Sequence, residues 1–191
     1  MERSALYRRA LAPIMLVAGT LGLLAAGAGT CFHIESPPMF IGLWFGAAVA
    51  VIGAALLLAR RQALKEQGPF WSPPTRRVAQ ALLPPLLSGM FLSALLALLD
   101  ANWAVDFPMV LVWLLFYGCA LHSAGFFMSR GIRWFGWILI MGAMVLAGSV
   151  WLAGGAPHPA AANLTMGFFF GALHLIYGVY LYLTESKNSA A

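Results

Sequence analysis

Charge is what this chain has least of. Asp, Glu, Lys and Arg make up only 9% of its 191 residues, where a soluble domain carries about a quarter. With 62% hydrophobic residues and a mean hydropathy of +0.85, its main solvent has to be lipid. Cysteine is also scarce. Cys31 and Cys119 are the only two, which excludes a disulfide scaffold. They are expected at the end of the first span and near the middle of the fourth, too far apart for the roughly 7 Å Cα separation that a bridge requires. Clustered Ser/His/Asp, HExxH and CxxC patterns are all missing, so no hydrolase, zinc-protease or dithiol chemistry is signalled.

What is present is apolar length. Six runs, 11–32, 39–59, 78–99, 107–128, 132–153 and 164–184, are each about 21 residues, enough at 1.5 Å per residue to cross a hydrocarbon core of about 30 Å. The expected fold is all-α, a polytopic bundle of six transmembrane helices in one domain. Little chain is left for a soluble catalytic domain. Residues 1–30 resemble a secretory signal, with Arg3, Arg8 and Arg9 before an apolar stretch, but that stretch is long enough to span. Ser36 with Pro37 and Pro38, Asp106 with Pro108, and Asn163 supply helix-start chemistry for spans two, four and six. Pro84 and Pro85 are expected to kink span three.

The basic residues set the orientation. Arg3, Arg8, Arg9, Arg60, Arg61, Lys65, Arg76, Arg77, Arg130, Arg133 and Lys187 all fall before span one, in the even-to-odd connections or at their edge (Arg133 is the second residue of span five), or after span six, whereas the opposite connections hold Glu35, Asp100 and Asp106. The positive-inside rule therefore predicts cytoplasmic N- and C-termini, with a bacterial inner membrane as the expected location. Basic residues placed this way reflect topology and not nucleic-acid binding. Trp44, Trp103, Trp113 and Trp151 fall toward the outer interface and Trp71, Trp134 and Trp137 toward the inner one, as an aromatic belt would.

Spans two, four and six share glycines seven residues apart, Gly46 and Gly53, Gly118 and Gly125, Gly171 and Gly178. This suggests three repeated helical hairpins with glycine faces turned inward for close helix contact.

Within the hydrocarbon depth no Asp, Glu, Lys or Arg occurs, which leaves His122 and His174 as the notable ionisable groups. Their expected depths differ by about 5 Å, so they could face each other. Each follows Ala-Leu and precedes a glycine by three or four residues. An intramembrane ionisable residue is costly to bury without a partner and so marks a candidate site. The favoured functional reading is a lipophilic small molecule bound among Tyr117, His122, Ser123, Thr165, His174 and Tyr177. One alternative makes the imidazoles axial ligands of a b-type haem in an electron carrier, and another makes the chain a small-solute transporter, although the acidic partners usual in proton relays are missing. The structural counterpart is two neutral imidazoles bonding between helices. Outside, His33 and Glu35 have the chemistry, though not the number, of a metal site.

The connection 60–77 is the longest. Gly68, Pro69, Pro73 and Pro74 interrupt it, and Arg60, Arg61, Lys65, Phe70, Trp71, Arg76 and Arg77 mix cations with aromatics. These residues are expected to contact anionic lipid or to dock a cytoplasmic protein. The chain thus reads as a non-enzymatic membrane protein, a sensor or membrane partner.

Overall fold

The computed structural model of the chain describes residues 3–65, 67, 69–99, 106–155 and 159–188; Gly68, Asp100, Trp103 and His158 lie outside them. Every regular element among these residues is helical. The helices are α1 (Arg3–Cys31), α2 (Pro37–Lys65), α3 (Pro73–Leu99), α4 (Asp106–Ala124) and α5 (Arg130–Ala153), followed by a last span built of α6 (Pro159–Met166), a π-helical segment (Gly167–Ala172) and α7 (Leu173–Asn188). Six helices are long and apolar enough to cross a membrane.

Several boundaries differ from expectation, each for a local reason. α4 stops at Ala124 and not near residue 128: the Gly125 and Phe127 N–H groups bond Leu121 and Ala124 carbonyls as the chain turns into α5. α6 starts at Pro159, four residues before Asn163, because proline fits the first helical position and alanine continues a helix best. α3 is one continuous helix through Pro84 and Pro85. α5 has Ser129 at its N-cap in extended geometry, and ends at Gly154, whose φ of 71° takes the left-handed conformation and returns its N–H to the Trp151 carbonyl. Thr20, Thr30, Ser93 and Thr184 hydroxyls donate to carbonyls four residues back at 2.8 Å, the usual way for a hydroxyl to be satisfied on a helix in lipid.

The chain divides into two compact units. One holds α1, α2 from Pro38 and the chain from Asn163 on; the other holds α3, α4 and α5. In the first, α1 packs along the last span through small residues. A Cβ on Gly22 would sit 2.5 Å from the Phe170 carbonyl oxygen, one on Gly19 2.8 Å from that of Gly171, and one on Gly178 2.9 Å from the Leu16 amide nitrogen. Backbone therefore meets backbone, which is how membrane helices gain contact when lipid offers no hydrophobic drive.

In the second unit α4 packs on α5 and α3 on α4. Glycine faces glycine across the first of these: a Cβ on Gly118 would lie 2.8 Å from the Gly136 oxygen, and one on Gly136 2.6 Å from the His122 nitrogen. Met109, Val110, Leu114, Ile132 and Leu139 form the sealed core around that seam.

The glycine pairs behave unequally. Gly118 on α4, Gly125 just after it, and the pair of the last span sit in close contacts, while Gly46 and Gly53 on α2 have no atom within 4 Å of an added Cβ. Both cysteines are free.

Candidate functional site

The polar residues of the hydrocarbon depth fall into separate groups, one in each unit. In the first unit Asn163 is 1% exposed. Its Oδ1 accepts from Trp44 Nε1 at 2.9 Å, and its Nδ2 donates to the Ile34 carbonyl at 3.1 Å. The amide thus ties α2 and the end of the α1–α2 connection to the last span. A Cβ on Gly29 would collide with Asn163 Oδ1, so the glycine supplies the space the amide needs. This corrects one expectation: Asn163 is not a terminal cap. Trp44 is a buried donor at 4% exposure. Trp113 likewise donates inward, to Ser93 Oγ at 2.8 Å. Trp71, Trp134, Trp137 and Trp151 do lie exposed.

His174 is also 1% exposed. Its Nδ1 donates to the Phe169 carbonyl at 2.9 Å, and its ring stacks on Phe170 at 6.0 Å and 13°. The π-helical segment explains the bond. Widening the turn shifts amide partners by one residue, as in the Leu173 N–H that reaches the Phe168 carbonyl, and the imidazole bonds a carbonyl of that widened turn. Thr165 and Tyr177 are half-buried on the same span, with Tyr177 stacked on Tyr180 at 6.3 Å.

His122 belongs to the other unit, with Tyr117 and Ser123 on the same helix, all half-buried. Its ring stands edge-on to Phe126 at 5.3 Å and to Trp137 at 5.4 Å, and its Nδ1 is sealed from solvent with no hydrogen-bond partner. The six residues read as one ligand set therefore divide three and three between the units. The two histidines have different surroundings: one is engaged by its own backbone, the other is walled by aromatics with an open nitrogen.

Comparisons with protein-family models, with curated proteins and with solved structures find no match. The reading of this site rests on its own chemistry.

Outside the spans, His33 and Glu35 are exposed, and no cluster of three or more His, Cys, Asp or Glu occurs among the described residues. In the 60–77 connection Arg60, Arg61 and Lys65 are exposed toward the end of α2, and Arg76 and Arg77 are exposed near the start of α3. Phe70 and Trp71 stack loosely at 6.4 Å, with Trp71 58% exposed.

Two features were not anticipated from sequence. The Asn163 bridge joins residues 119 positions apart, and only the rarity of Asn in an apolar run could have pointed to it. The π-helical segment has no sequence signature beyond glycines at its first and fifth positions.

Proposed function

We propose that this chain is a non-enzymatic integral membrane protein that binds a lipophilic ligand among its helices and serves as a sensor or membrane partner for a cytoplasmic protein. The observation that carries the ligand reading is the open Nδ1 of His122. A buried polar atom without a hydrogen bond costs about 1–3 kcal/mol, and a ligand oxygen or N–H placed there would recover it. Phe126 and Trp137 supply an apolar wall, while Tyr117 and Ser123, on the same helix, lie on other faces of it at 100° per residue. His174, already bonded to its own helix, serves on this reading mainly to hold the last span.

The partner reading rests on the exposed cations and Trp71 of the 60–77 connection. It goes with the cytoplasmic placement of both termini in a bacterial inner membrane; the reading of three repeated hairpins is supported by the close-packed glycine pairs of spans four and six but not by that of span two. The test is native mass spectrometry of gently purified protein. A small lipophilic adduct should be retained by the parent chain and by Thr165→Ala, and lost from His122→Phe; an adduct kept by His122→Phe would refute the site. Deleting residues 67–75 should abolish capture of a cytoplasmic partner without changing the helical circular dichroism.

One observation favours a second reading, a haem b carrier. His174 Nδ1 donates to a backbone carbonyl, the kind of hydrogen bond that orients metal-ligating histidines. A Soret band lost in His174→Ala would establish it, and a colourless, iron-free preparation would dismiss it.

A further inference from the structure

The turn between α4 and α5 gathers cationic and donor groups that neither reading above uses. The Arg133 guanidinium lies over the Phe126 ring, its Cζ 5.0 Å from the centroid. Its stem crosses Gly125, where an added Cβ would strike Arg133 Cγ. Glycine and phenylalanine together set the position of this arginine before any ligand arrives. Stacking occupies the face of the guanidinium and leaves its in-plane N–H fork free to meet two oxygens.

Ser129 stands four residues before Arg133, hence on the same face of the helix start. It holds the N-cap position, yet its hydroxyl makes no capping bond, and its Oγ is sealed from solvent without any partner. Behind it opens a helix of 24 residues whose dipole favours an anion at this end; the Ile132 N–H bonds the Ser129 carbonyl at 3.1 Å, which leaves the N–H groups of Arg130 and Gly131 ahead of it without an acceptor inside the helix. Arg130 is exposed beside it.

Among the described residues of this unit no carboxylate stands near the turn in sequence. From residue 107 to residue 184 the sequence contains neither Asp nor Glu, and α3 contains none either. Asp106 opens α4 at its opposite end, about 27 Å away at 1.5 Å per residue. Phe126, Phe127, Trp134 and Trp137 are all exposed around the turn where two apolar spans end, the pattern that aromatics take at a headgroup layer.

We propose that the Ser129–Arg133 turn binds the phosphate of an anionic membrane lipid, with Arg133 as the fixed fork, Arg130 as the second cation, and Ser129 Oγ and the N–H groups of Arg130 and Gly131 as neutral donors. The site shares the Phe126 ring with the wall around His122, but its cations and donors are different residues, and its variants leave both Phe126 and His122 unchanged.

The test is native mass spectrometry of the full detergent-purified chain, titrated with an equimolar mixture of phosphatidylglycerol and phosphatidylcholine. The parent should prefer phosphatidylglycerol by about tenfold, the scale of one charge-assisted hydrogen-bond set. Arg130→Gln/Arg133→Gln should reduce that preference to within about twofold, and Arg60→Gln/Arg61→Gln should leave it in place. Arg133→Lys, which keeps charge and fold but loses the fork, should give an intermediate value, and Ser129→Ala should lower it several-fold. An undiminished preference in Arg133→Lys and in the double variant overturns the proposal. Displacement of phosphatidylglycerol by millimolar inorganic phosphate also overturns it, by making the ligand a free anion and not a lipid.

Discussion

Removing the amide of Asn163 tests whether a single buried polar contact organises the first unit. Asn163→Ala deletes the bonds to Trp44 Nε1 at 2.9 Å and to the Ile34 carbonyl at 3.1 Å. It also leaves a buried indole N–H without an acceptor. In water-soluble proteins one such orphaned group costs about 1–3 kcal/mol. Inter-helix hydrogen bonds in membranes average nearer 0.6 kcal/mol, with an upper bound of about 1.7. Two lost bonds and a stranded donor should therefore destabilise the fold by about 2–3 kcal/mol. Trp44→Phe removes only the donor and should cost about 1 kcal/mol. The informative quantity is the coupling between the two positions in a double-mutant cycle, since it cancels the cavity and propensity terms peculiar to each change. Unfolding in mixed micelles of rising SDS fraction, followed by helical circular dichroism, measures it. A coupling of about 0.6–1.7 kcal/mol is expected. Additive single effects would mean that the contact contributes nothing, and the account of α2 held through this amide would fail.

Other substitutions probe the remaining features. Gly22→Ala, whose Cβ would lie 2.5 Å from the Phe170 oxygen, should cost about 1–3 kcal/mol by overpacking, while Gly27→Ala, in open space, should be neutral or slightly stabilising; equal melting shifts would contradict the tight α1 seam. His174→Leu should lower stability by about 1–3 kcal/mol through the unpaired Phe169 carbonyl, with little loss in His174→Asn if its amide reaches the same oxygen, as thermal melts in detergent would report. With both native cysteines replaced, a cysteine at Arg61 or Thr75 should react with an impermeant maleimide only after cells are opened, and one at His33 before; labelling of residues 61 and 33 from the same side would end the proposed orientation.

The six spans were legible because apolar length in lipid is a one-dimensional signal. Every stretch long enough to cross became a helix, since backbone amides can be satisfied there only within their own segment. Start positions were legible where proline or Asp106 fixes the first turn, as at Pro37 and Asp106. Partner choice was not. Nothing local in α1 indicates that Gly19 and Gly22 face the last span, because small residues permit close approach without naming the partner. Glycines at the same seven-residue spacing sit against backbone in α4 and open in α2. The candidate site was legible only as residue types. His122 and His174 look alike in sequence, each in Ala-Leu-His, and become chemically distinct only when one meets a π-helical carbonyl and the other an aromatic wall.

The widened turn at Gly167–Ala172 has a geometric consequence for the whole last span. Its contacts with α1 recur at Gly167, Gly171 and Leu175, a step of four residues. In a regular α-helix each such step advances the azimuth by about 40°, so a stripe of this spacing would spiral away from a neighbouring axis. A turn holding more than four residues cancels that drift and keeps the stripe running straight alongside its neighbour. Deleting one residue within 167–172 should therefore swing everything after it by about 100°, carrying Gly178 and His174 off their seats while leaving composition and hydropathy almost untouched.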